Sequence, residues 1–270
     1  CLRILPPFFI FMILYSTLPM LWGAINGETS LNDMSRILLN FPSQAGHLWF
    51  MYPLISLYLF IPIISPWLSK ATKKEERFFI GLFLLSTCMP YLNRWCGEVW
   101  GQCFWNEYHM LWYFSGYLGY LVLAHYIRVH LTWNRSKRLT VGGILMIIGA
   151  VWTIYSFYIQ AVPGEILSTP VIEIGWAFCT INCVLLTTGT FLMFTCIKRP
   201  QAPKLVTETS KLSYGMYLMH MLILPYVFGI CNPVMSPPLA IFATAIITYV
   251  VCYIIAKLIS LFKFGKYIVG

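Results

Sequence analysis

The sequence predicts an all-α fold, a polytopic membrane helical bundle with eight transmembrane helices present. Three observations predict it. Of 270 residues, 59% are hydrophobic and 10% charged, against about 45–50% and about 25% in a soluble domain, so the excess apolar surface faces lipid. The apolar residues gather in runs close to the roughly 20 that cross a ~30 Å hydrocarbon core, about twice the ~10-residue alternating segments of an outer-membrane barrel. With eight spans and both ends cytoplasmic, 16 of the 18 Lys and Arg lie in inside segments and only Arg36 and Arg94 outside, as the positive-inside rule requires. The net charge of +9 therefore reports orientation in the membrane, and no nucleic acid is expected as a partner.

The spans follow in order. Ile4 to Ile25 begins almost at the first residue, Cys1, with no cleavable leader pattern, and the expectation is that the natural N-terminus lies upstream. His47 to Leu68 is a continuous apolar and aromatic run. Phe78 to Leu92 is short, and it is retained because deleting it would move every later basic cluster to the outer side. Tyr108 to Ile127, Leu139 to Ala161, Val171 to Ile197, Leu212 to Ile230 and Leu239 to Phe262 complete the set, each bounded by charged or proline-containing loops. Seven prolines, Pro6, Pro7, Pro19, Pro53, Pro62, Pro66 and Pro90, lie in or at the ends of the first three spans. They either bend these helices around a site or reflect ordinary membrane-helix usage. Cys96 and Cys103 share an outer loop and either form a disulfide or remain free thiols. Cys179 and Cys183, one turn apart without a His or carboxylate partner, read as packing residues, and no metal site is expected.

Ionisable groups are costly in lipid and point to function; those singled out at the spans are His47, Glu107, His109, Glu173 and His220. Glu173 is discounted as reachable by water. His47 precedes Trp49, Tyr52 and Ser56, which at helical spacing share a face that either lines a wet cavity able to hold a sugar or forms an interfacial aromatic belt. Glu107 and His109 open the fourth span before Tyr113, Tyr117 and Tyr120; they either make a general-base pair with the residues around His47 or point outward separately. Gly116 and Gly119 there would let another helix approach closely. Ser213, Tyr217 and His220 share a face of the seventh span, and His220 lies ~12 Å inside at 1.5 Å per residue, either satisfied by a neighbour or lining a ligand channel. There is no glycine-rich phosphate loop, nucleophile elbow or HExxH motif, and no Asp in any span, which argues against an ion-coupled carrier.

The ordered set of segments resembles a known family. GHLWFMYPLISLYLFIPIISPWL resembles the HLWFL-type segment of membrane acyltransferase family 3, YFSGYLGYLVLAHYI its later GYxxGYxxLxxY helix, KLSYGMYLMHMLILP its SxxxYLxH helix, and LRILPPF the end of its basic RxxRxxP loop. The resemblance implies a single transmembrane acyltransferase-like domain over residues 1–270, built in the family from ten helices, of which the first two would be missing here. It further implies transfer of an acyl group, commonly acetyl, from cytoplasmic acyl-CoA to a carbohydrate hydroxyl at the outer face of the bacterial cytoplasmic membrane. Acyl-CoA (acetyl-CoA) would be a co-substrate and no cofactor would stay bound. Arg3 matches the second Arg of the basic loop and would contact CoA phosphates, with Tyr217 and His220 also on the acyl-donor side. Trp49, Tyr52 and His109 would bind the acceptor, and His47 and Glu107 would assist catalysis. The family's principal His lies in its first helix, so it would fall upstream of Cys1 and leave these 270 residues alone inactive. A transporter or flippase for a sugar-linked lipid, and a non-catalytic sensor or scaffold, are the rival readings; a repeat between halves would favour the transporter, and none is visible.

Overall fold

The computed structural model describes residues 3–103, 109–161, 173–197 and 201–270. The described residues form helices α1 (Leu5–Leu21), α2 (Gly27–Ser35), α3 (Met51–Leu68), α4 (Lys73–Cys96), α5 (Leu118–Val129), α6 (Arg135–Tyr158), α7 (Ile181–Phe194), α8 (Lys204–Cys231), α9 (Pro237–Ser260) and α10 (Lys266–Val269), with 3-10 turns at Gly46–Phe50 and His109–Phe114 and no strand among them. Each of the eight predicted apolar stretches holds a helix. Among the described residues, four helices are long and apolar enough to cross a membrane: Gly46–Leu68, Arg135–Tyr158, Lys204–Cys231 and Pro237–Ser260. The apolar helices α1, α5 and α7 are shorter, and α4 begins with Lys73, Lys74, Glu75, Glu76 and Arg77.

Local chemistry sets the helix starts. Pro6 and Pro7 occupy the first turn of α1, where the missing amide costs nothing. Thr72 and Glu75 form a reciprocal capping box on α4: the Thr72 hydroxyl accepts from Glu75 N–H at 3.3 Å, and Glu75 Oε2 accepts from Thr72 N–H at 2.7 Å. Asn134 caps α6 by accepting from Lys137 N–H at 2.9 Å.

The chain divides into two compact units, Cys1–Tyr52 with Pro200–Gly270, and Pro53–Arg199. In the first, α8 and α9 pack as a hairpin around Val227, Cys231 and Ala240, with Ile223, Met235 and Ala243 against them. The sidedness of α9 is that of a membrane helix. Small and hydroxyl residues Ala240, Thr244, Thr248, Cys252 and Ala256 are buried, while Phe242 and Ile246 are more than 60% exposed. Water would punish this arrangement; lipid tolerates it, because close packing of small residues replaces hydrophobic burial as the driving force.

In the second unit, α3, α4 and α5 enclose Leu68, Ile80 and Val122. Helices α6 and α7 meet along a glycine seam. A Cβ added at Gly189 would stand 2.5 Å from both the Gly142 carbonyl oxygen and the Met146 nitrogen, and one at Gly149 would stand 2.5 Å from the Leu186 nitrogen. Buried Asn182 fastens the irregular segment 173–180 that precedes α7: its side-chain amide donates to the Gly175 carbonyl (2.8 Å) and to Thr153 Oγ1 (2.8 Å), and its oxygen accepts from the Tyr91 hydroxyl (2.9 Å). Residues 174–180 of the predicted sixth span are not helical and α7 starts at Ile181, so Cys179 lies before that helix rather than one turn from Cys183 upon it.

Candidate active site

Two imidazoles meet in the first unit. His47, in the 3-10 turn ahead of α3, and His220, midway along α8, stand edge to face with ring centroids 4.8 Å apart. Backbone carbonyls fix both rings. His47 Nε2 faces the Leu218 carbonyl at 3.4 Å, and His220 Nδ1 faces the Tyr217 carbonyl at 2.6 Å. A carbonyl only accepts, so these nitrogens carry the protons. The lone pairs are then left on His47 Nδ1 and His220 Nε2. His47 Nδ1 is buried and has no hydrogen-bond partner.

Neighbouring tyrosines brace the pair. The Tyr217 hydroxyl donates to the His47 carbonyl, and the Tyr15 hydroxyl of α1 donates to the Leu218 carbonyl at 3.0 Å. Their rings lie 5.7 and 5.2 Å from that of His47. Ser213, Tyr217 and His220 line one groove against Thr248, Tyr249 and Cys252 of α9, with a volume of about 310 Å³. The shared helical face expected from their spacing is therefore present. Thr248 Oγ1 is buried in this wall without a partner.

A second cavity, of about 490 Å³, is lined by Arg3, Lys211, Lys266, Tyr267 and Gly270. Three chain segments supply its three cations, and small details of α8 bring them together. Tyr214 donates to the Ile4 carbonyl at 2.7 Å, holding the start of α1. The bare backbone of Gly215 admits α10, because a Cβ there would lie 2.6 Å from Val269 Cβ. A concavity lined by one sign of charge concentrates anions, and the Arg fork matches phosphate oxygens.

The family model described as an acyltransferase domain, that of acyltransferase family 3, matches residues 1–257. The chain belongs to this family. No curated protein and no solved structure matches it.

Within this membrane acyltransferase domain, the residues expected at the site divide. His47, Tyr217 and His220 come together, and Arg3 joins a cation cluster. Trp49 is 38% exposed. Tyr52 packs edge-on against Phe8 (5.9 Å) and tilted against Phe41 (6.2 Å). The face drawn through Trp49, Tyr52 and Ser56 assumed one continuous α-helix, whereas residues 46–50 are 3-10 and α3 starts at Met51, so the register changes between them. The tyrosine face of the fourth span breaks in the same way, at Gly116, whose φ of +82° turns the chain between the 3-10 turn and α5. Gly119 does provide a close approach: a Cβ there would overlap the Phe83 ring. Glu107 lies outside the described residues, as does the side chain of His109. Glu173 is exposed, and Cys96 and Cys103 are free thiols.

The acyltransferase chain also holds groups that sequence reasoning passed over. Lys211 and Lys266 entered only as topological charge. His125 lies inside the fourth apolar stretch and belonged among the embedded ionisable residues. With His130 it faces the fully buried Glu76 of α4, at 3.1 Å (His125 Nδ1) and 3.0 Å (His130 Nε2) from the same carboxylate oxygen. A carboxylate at the rim of a charged stretch reads as a solvated face, which is why the sequence conceals this one. Beside the cluster, outside the apolar run, the Thr72 hydrogen bonds hold the exposed Glu75 carboxyl below its ordinary pKa.

Proposed function

We propose that the protein is a membrane O-acyltransferase that moves an acetyl group from cytoplasmic acyl-CoA to a hydroxyl of an extracytoplasmic or lipid-linked carbohydrate. The observation that carries this reading is the buried His47 Nδ1, which has no hydrogen-bond partner, beside the imidazole of His220. Leaving a buried acceptor unpaired is costly, and a substrate hydroxyl supplies the missing donor. As that oxygen attacks the thioester carbonyl, a bond forms to the acyl carbon, the carbon–sulfur bond breaks and the thiolate leaves. The hydroxyl proton passes to the imidazole, a base suited to neutral pH. His47 holds or accepts that proton, and His220 presents its Nε2 to the α8–α9 groove on the acyl-donor side. Glu107 assists, and Trp49, Tyr52 and His109 contact the acceptor. Arg3, with Lys211 and Lys266, takes the phosphates of the acyl-CoA.

The same reading makes eight of the helices membrane spans, with the basic ends in the cytoplasm of a bacterial inner membrane. The test is the O-acetyl content of the surface glycan in cells that carry or lack the gene; unchanged content refutes the proposal. In the same cells His47→Ala lowers transfer by ~100-fold or more, the usual worth of a positioned base, while the protein still inserts in the membrane. Wild-type transfer by that variant removes His47 from the site.

A further inference from the structure

We propose that a cavity in the second unit, between the C-terminal half of α4, the start of α5 and residues 177–180, binds a saccharide, and that this saccharide is an uncharged pyranoside. The site is separate from the imidazole pair of the first unit and does not rest on the acyltransferase reading above.

The cavity measures about 530 Å³, within the ~300–1,000 Å³ of small-molecule sites. Asn93, Gln102, Tyr117, Phe178 and Thr180 are among the residues that line it, and no Lys, Arg, His, Asp or Glu does so among the described residues. Asn93 Oδ1 is buried and without a hydrogen-bond partner. It is an acceptor that awaits a donor. Gln102 offers an acceptor and two donors from one planar group, which suits a hydroxyl that both gives and takes. Tyr117 and Phe178 stand with ring centroids 6.4 Å apart at 41°, and aromatic rings present apolar faces against which the C–H face of a sugar ring packs. Amides for hydroxyls and aromatic rings for C–H faces together describe a pyranose. The described lining supplies hydroxyl and amide partners and no cation, which favours a neutral one, because a carboxylate or phosphate taken out of water without a cation is strongly disfavoured.

The wall is built rather than incidental. Residues 173–180 have little regular structure, yet two hydrogen bonds from side chains elsewhere in the unit hold them: the Tyr120 hydroxyl to the Phe178 carbonyl, and the Asn182 amide to the Gly175 carbonyl (2.8 Å). Gly116, which also lines the cavity, has a φ of +82° that a side chain would strain. In the orientation proposed above, these ends of α4 and α5 lie on the outer side of the membrane, where a surface glycan is found.

The test uses the full chain in lipid nanodiscs and saturation-transfer NMR with methyl glucoside, galactoside, mannoside and rhamnoside, and with methyl glucuronide as the charged counterpart. At least one neutral glycoside binds saturably and more tightly than the glucuronide. Asn93→Leu and, from the adjoining loop, Gln102→Leu each weaken binding about tenfold, the loss of one buried hydrogen-bonded pair. Absence of saturable neutral-glycoside binding, binding indifferent to both substitutions, or preference for the glucuronide overturns the proposal.

Discussion

Gly215→Ala tests whether the basic cavity depends on the docking of α10. The added methyl would lie 2.6 Å from Val269 Cβ, 2.8 Å from its Cα and 2.9 Å from its carbonyl oxygen, where carbon contacts normally settle near ~3.5–4.0 Å. Two of the three atoms are backbone, so no rotamer change relieves the overlap, and overpacking of this kind costs ~1–3 kcal/mol. What opposes undocking is chiefly Val269, 1% exposed, whose burial is worth ~1.5–3 kcal/mol. The two quantities are comparable, so α10 spends a large fraction of its time displaced and carries Lys266 away from Arg3 and Lys211. Losing one cation–phosphate hydrogen bond, ~1.5 kcal/mol or more, weakens coenzyme A binding about tenfold. Calorimetric titration of coenzyme A into the protein in nanodiscs should therefore give Lys266→Ala about that tenfold defect and Gly215→Ala, with α10 still docked about half the time, a smaller one of about twofold. Both act through one event, so the double variant is no worse than Lys266→Ala alone. Full affinity in Gly215→Ala alongside weakened affinity in Lys266→Ala, or strict additivity in the double variant, would refute the docking argument.

Other expectations concern the second unit. Glu76→Ala strips the shared hydrogen-bond partner from His125 and His130 and should cost ~1–3 kcal/mol, the penalty of leaving half-buried polar groups unpaired; detergent-solubilised thermal unfolding measures it, and a midpoint equal to wild type contradicts the role given to Glu76. Gly189→Ala drives a methyl against the Gly142 carbonyl and the Met146 amide, and should cost ~1–3 kcal/mol in the same assay, with a neutral result showing that the α6–α7 seam is wider than described. The Glu75 carboxyl is held below its ordinary pKa by Thr72, so its contribution to the α4 cap is present above the unfolded carboxylate pKa and lost as pH falls through its lower folded value. Amide-exchange protection of the first α4 turn should decline over that acidic window in the wild type and be pH-independent in Glu75→Gln, which keeps the acceptor and removes the titrating carboxyl; matching profiles would dismiss the cap.

Much of the helix order was legible because lipid imposes a one-dimensional rule: apolar length makes a span. All eight stretches hold helices, and the groove face of Ser213, Tyr217 and His220 follows from simple 3.6-residue spacing. The contacts that build the site obey no such rule. His47 and the Leu218 carbonyl are 171 residues apart in sequence, and nothing local in GHLWF announces that partner. The aromatic faces at His47 and His109 were misread for a different reason: 3-10 turns replace α-helix there, and apolar periodicity does not distinguish the two across five or six residues. Lys211 and Lys266 were visible only as charge because what gathers them is an absence, the missing side chain of Gly215.

The two imidazoles are held by successive carbonyls of one helix, Tyr217 and Leu218. Every amino acid at those positions keeps its carbonyl, so replacing the Leu218 side chain leaves the hydrogen-bond acceptor of both Tyr15 and His47 in place. A side-chain scan of α8 would pass silently over the atom that orients His47. What the arrangement does register is rotation. Turning α8 about its axis by one residue, ~100°, would carry the Leu218 carbonyl away from His47, while His220 rides on the same helix and keeps the Tyr217 carbonyl, so the rotational setting of this helix fixes which nitrogen of His47 holds a proton and leaves that of His220 unchanged.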